Sequence, residues 1–156
     1  MADAAAQPRG LVPAAMVETA EGPVAMHETP GKGFAVLTRF ASGELGFRQL
    51  LKVTTQENVP LVRVTLDTGH AVVVARGQVF YREGMVAVPA AELRPGDRLE
   101  TAFRYRDGYA PRGTVRPVAT AVAVRAVEPA GEGAVMSGTV RDTHRLFLTA
   151  GVLCSE

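Results

Sequence analysis

At 156 residues, with 47% apolar side chains, the chain suffices for one compact domain plus an arm and is too short for two full domains. Its 17 basic and 16 acidic residues leave a net charge of +1 with no long run of either sign, and only 6% of residues are aromatic, which points away from nucleic acid as a partner. The single cysteine, Cys154, excludes an internal disulfide and any multi-cysteine metal site, and no stretch reaches the roughly eighteen apolar residues of a membrane span.

Residues 1–26 contain Ala, Pro and Gly without a sustained period of 2 or 3.6, and read as an extended arm. Such an arm is the expected route to a protein partner or to self-assembly. The start, MADAAAQPRGLVPAAM, lacks a basic region followed by an apolar core, so no general secretory signal is read there. From Phe34 the pattern turns β-like: FAVLTRF, a turn at ASGE, then LGFRQLLKV, whose spacing also suits a short helix.

Residues 61–81, LVRVTLDTGHAVVVARGQVFY, give the strongest signal. Apolar residues alternate at Val62, Val64 and Leu66, Asp67-Thr68-Gly69 supply turn chemistry, and a run of Val resumes after His70. Short strands and turns continue through 82–100, with Arg94-Pro95-Gly96-Asp97 as a turn in which Asp97 is expected to cap backbone amides. Residues 105–116 read as a polar surface loop, 118–127 as a strand, 129–133 as a loop, and 135–140 and 146–153 as further strands. No segment keeps helical periodicity over several turns while turn signals recur, so the expected fold is all-β, a single domain over 27–156.

The order of FAVLTRFASGE, VPLVRVTLDTGHAVVVARGQVFY, AAELRPGDRL and THRLFLTAGVLCSE resembles the Hint domain of inteins, hedgehog autoprocessing regions and bacterial pretoxin modules, over residues 29–156. The resemblance implies an acyl shift. A thiol or hydroxyl on the first residue attacks the preceding carbonyl, a Thr-x-x-His motif supplies an assisting imidazole, and a terminal His-Asn pair releases the downstream segment. In this register Thr29 stands for the nucleophile, Ala75 and Gln78 stand for Thr and His, and Ser155 and Glu156 stand for His and Asn.

A Thr hydroxyl is a weaker nucleophile than a thiol, a glutamine exchanges no proton near neutral pH, and Glu156 has no carboxamide to cyclise. His144 resembles an upstream histidine of the final motif, displaced by one residue. Its structural reading is a locally bonded histidine at a strand edge. His70 reads as a surface residue after a turn, His27 as part of the arm, and Cys154 as a small core residue.

Gly31-Lys32-Gly33 lacks the spacing of a phosphate loop, and three scattered histidines make no zinc set, so neither cofactor nor metal is expected. The function expected is a non-catalytic, degenerate Hint-like structural or interaction domain. It would associate through its arm in a larger assembly such as a phage-like particle, with the cytoplasm or a particle assembled there as its setting. The alternatives are a slow autoproteolytic enzyme using Thr29, and a peptide or small-ligand module whose vestigial cleft offers Arg76, Gln78 and His144.

Overall fold

The computed structural model describes residues 7–102 and 122–156. Among them the chain forms β1 (Met16–Thr19), β2 (Gly22–Ala25), β3 (Ala35–Arg39), β4 (Leu45–Leu66), β5 (Ala71–Ala75), β6 (Val79–Arg82), β7 (Val86–Pro89), β8 (Arg98–Leu99), β9 (Val122–Val140), β10 (Arg145–Phe147) and β11 (Leu153–Ser155). Its helical elements there are short 3-10 turns at Met26–Glu28 and Ala90–Glu92. The strands join into one antiparallel sheet in the order β10-β11-β6-β8-β9-β4-β3-β1-β2, with β5 against β4 and β7 against β6. The all-β expectation is met.

The alternation that announced the central hairpin decides its packing. Val62, Val64 and Leu66 are almost fully buried while Arg63 between them is exposed, and β4 turns into β5 through Asp67 to His70 in the register Thr65↔Ala71. Around this stripe gather Val36, Leu50, Val74, Phe80, Leu99, Val140 and Leu146, the main core. A smaller cluster of Val59, Leu61, Ala75 and Val135 covers the opposite face of β4.

Residues 45–53, which also suit a helix, belong wholly to β4, because β3 pairs with them from Leu45 to Gln49 and β9 from Leu50 onward. The break read at 129–133 is likewise absent. β9 passes through it, with Gly133 opposite Val59 and Glu132 opposite Pro60, and absorbs the irregularity as register shifts near Gly131, whose φ is +76°. The loop read at 105–116 and the start of the strand read from 118 lie outside the described residues.

Residues 1–26 are the main correction. Their described part, 7–26, is built into the domain. β1 and β2 pair as a hairpin whose turn is closed by the Thr19 hydroxyl donating to the Gly22 carbonyl, and Val17 and Met26 enter the core. Leu11 bridges Val74 of β5 and Met136 of β9 at once. Since β5 and β9 both also pair with β4, residues 10–12 close the sheet into a ring. The alternating strand-turn-strand MVETAEGPVA is masked in the sequence by the surrounding Ala and Pro, and its apolar side chains are buried because the ring offers them a core that the segment lacks alone.

Leu11 is only 2% exposed. Replacing it by Ala is expected to lower unfolding stability by about 2–5 kcal/mol in urea titrations, whereas a side chain on a free arm would change it by less than about 0.5 kcal/mol.

Candidate functional site

The turn that follows β5 aims one polar side chain into the interior. The Gln78 N–H donates to the Ala75 carbonyl, the Gln78 carbonyl accepts from Ala90 N–H, and the Arg76 N–H donates to the Pro60 carbonyl, so both flanks of the turn are pinned. The Gln78 side chain is fully buried. Its Oε1 accepts the Gly10 N–H at 2.8 Å, and its Nε2 donates to the Ser155 carbonyl at 2.7 Å with the Ser155 hydroxyl at 3.3 Å. A carboxamide carries donor and acceptor together, so one side chain satisfies backbone groups from opposite ends of the chain without changing charge.

Two glycines make this approach possible. Gly10 has φ +143°, and a Cβ there would lie 2.9 Å from both the Met136 carbonyl oxygen and the Val135 Cβ. At Gly77 a Cβ would come within 2.6 Å of the Pro8 carbonyl oxygen and 2.8 Å of the Gln7 Cβ. Residues 7 and 8 therefore cross directly over the turn that holds Gln78, beside a cavity of about 200 Å³ lined by Gln7, Pro8, Val59, Pro60, Arg76 and Gly77.

Beneath Gln78 lies Cys154, fully buried on β11. Burial pushes its thiol up to about 12, against a smaller opposing pull from a hydrogen bond with Gln78. The group is a neutral thiol, not a nucleophile. Burial also raises Tyr81 on β6, with the Arg145 guanidinium, which sits over the Tyr81 ring, working against it.

At the end of the chain the Glu156 carboxylate accepts the Val140 N–H at 2.6 Å and meets His144 Nδ1 at 3.0 Å. Its own N–H donates to the His144 carbonyl. His144 adopts φ +57° and its side chain is mostly exposed. Among the described residues no three His, Cys, Asp or Glu side chains converge as metal ligands.

No family model matches the sequence, and no curated protein does. Solved structures do. A bacterial intein-like domain from Clostridium thermocellum superposes with a TM-score of 0.77 at 21% identity, covering 96% of this chain and 100% of its own. A DnaB intein from Synechocystis sp. PCC 6803 gives 0.76 at 10% identity over 95% and 98%, and the gp41-1 intein gives 0.67 at 14% identity over 96% and 100%. The chain has the Hint fold of intein-like domains.

Coverage of that extent takes in most of residues 1–28, so the Hint fold here begins well before Thr29. The peptide bond that Gln78 touches is Arg9–Gly10. Thr29 is buried at the end of the 3-10 turn that also contains His27, and its hydroxyl donates to the Met26 carbonyl at 2.7 Å.

Of the positions singled out from sequence, Gln78 and Ser155 meet, and His144 and Glu156 meet. Thr29 joins neither pair. His70 is exposed beyond the β4–β5 turn, and Cys154 is a core residue whose neighbour is Gln78 rather than His144. Asp97 Oδ2 accepts the Arg94 N–H, the amide cap expected of it. Gly10 and Gly77 were not legible as site residues. The only signal was Gly-Leu-Val leading into MVETAEGPVA, which marks a strand entering a hairpin.

Gln78→Leu keeps the bulk and removes both hydrogen-bonding ends. It is expected to destabilise the domain by about 1–3 kcal/mol for each buried backbone group left unpaired, measured by urea unfolding. Because the folded Cys154 pKa is raised above its unfolded value, its stabilising share is complete below about pH 8.5 and is lost as pH climbs toward 12. Urea midpoints should fall with rising alkalinity, and Cys154→Ala should make that fall shallower.

Proposed function

We propose that this chain is a Hint-fold module that holds, rather than cuts, the peptide bond at its active-site position, and that it serves as a structural or interaction domain. The observation that carries this reading is the Gly10–Gln78–Ser155 bridge. Acyl shift at Arg9–Gly10 needs a nucleophile on residue 10, and Gly10 has no side chain and no space for one. It needs a group that passes a proton, and Gln78 passes none. It also benefits from a mobile bond, while the N–H of this one is held by the buried Gln78 carboxamide.

The autoproteolytic alternative at Thr29 has little support, since that hydroxyl is turned onto the Met26 carbonyl of its own turn. The ligand-binding alternative requires an open cleft with unpaired polar groups. Two of its three polar contacts are instead engaged by the chain itself, Gln78 at both ends and His144 by Glu156, while Arg76 is exposed and lines the cavity beside Gly77. The reading includes a protein partner, in a larger assembly such as a phage-like particle, which suits a domain of net charge +1.

Intact mass spectrometry after several days with hydroxylamine at mildly alkaline pH tests the proposal, because hydroxylamine traps any ester intermediate. The full chain is expected to keep its mass, as is Gln78→His, which restores an imidazole but no nucleophile. A fragment ending at Arg9 or at Glu28 would overturn it.

A further inference from the structure

We propose that the slot between β5 and β9 is a strand-binding interface, and that a second copy of this chain occupies it by exchanging its own residues 7–12. This goes beyond the absence of cleavage and does not depend on it. Every ladder bond across the slot is made to backbone. Leu11 N–H donates to the Met136 carbonyl at 2.9 Å, Met136 N–H donates to the Leu11 carbonyl at 2.7 Å, and Ala75 N–H donates to the Gly10 carbonyl at 3.0 Å. Gln78 adds an acceptor for the Gly10 N–H. A chain that runs through on the same course satisfies all of them whether it arrives from the same molecule or from another.

The slot is nonetheless selective. It rejects a Cβ at the position of Gly10, buries a leucine beside it, and lets a proline carbonyl pass over Gly77. The segment that meets these demands is this chain's own, so a second copy brings the matching occupant. The strand is also short, and it joins β1 through a tight turn in which Ala15 N–H donates to the Val12 carbonyl. Opening that turn releases residues 7–12 while β1, β2 and the rest of the core stay packed, which makes local release easier than global unfolding. Intramolecular closure works at an effective concentration on the order of millimolar, so the wild type stays monomeric when dilute and exchanges where copies are concentrated.

Two full-length variants separate strand from slot. Gly10→Val spoils the strand, because its side chain would strike the Met136 carbonyl, but leaves the slot intact. Gly77→Leu blocks the slot where Pro8 crosses it, but leaves the strand intact. Each alone is expected to be monomeric by light scattering, and an equimolar mixture is expected to form a one-to-one heterodimer. A mixture that stays at monomer mass, with both variants melting cooperatively, overturns the proposal. If either variant fails to fold, hydrogen exchange on the wild type decides. The Leu11, Ala75 and Met136 amides should exchange at least about tenfold faster than the amides in the middle of β4. Equal rates overturn the proposal.

Discussion

The carboxamide of Gln78 ties the two ends of the described chain to each other, and the rest of the domain is arranged so that it can. Its oxygen holds the N–H of Gly10 and its nitrogen holds the carbonyl of Ser155, in an interior where an unpaired amide or carbonyl would cost about 1–3 kcal/mol. For that one side chain to reach both partners, residues 10–12 must lie between β5 and β9, β11 must lie beside β6, and the turn after β5 must carry a glycine. The ring of β4, β5, β9 and the N-terminal strand is the geometry that results.

The chemistry at position 78 follows from its carboxamide. A histidine at 78 would alternate between charged and neutral forms near neutral pH; a glutamine presents the same two hydrogen-bonding functions permanently. Cys154 is kept as a neutral thiol by burial, and Glu156 is engaged by the Val140 amide and His144. Gly10 contributes only backbone. Close packing at Gly10 and Gly77 makes the arrangement tight, since a methyl group at either site meets backbone atoms that cannot swing aside.

Much of the fold was legible because β-strands report burial locally. The alternation at Val62, Val64 and Leu66, the turn at Asp67 to Gly69, and the small apolar run in 122–127 each specify a strand by its own residues. The length of β4 and β9 was not legible. Gly131 and Pro129 read as a loop, and only pairing with the facing strand carries β9 through them as a bulged continuation. Gln78 was legible as a departure from Thr-x-x-His, but its partners were not, because Gly10 and Ser155 lie 68 and 77 residues away in sequence.

The sequence by itself determined the class of the fold, the central hairpin and the turn after it that carries Gln78, since these follow from residue types and their spacing. Only the tertiary structure decided that residues 7–26 are part of the domain, that Gln78 meets Gly10 and Ser155, and that the Thr29 hydroxyl turns instead onto Met26. The physical reason is that a strand as short as residues 10–12 has too little periodicity to announce itself. Its course is set by two edges, Val74 and Met136, which are brought together only when the sheet closes.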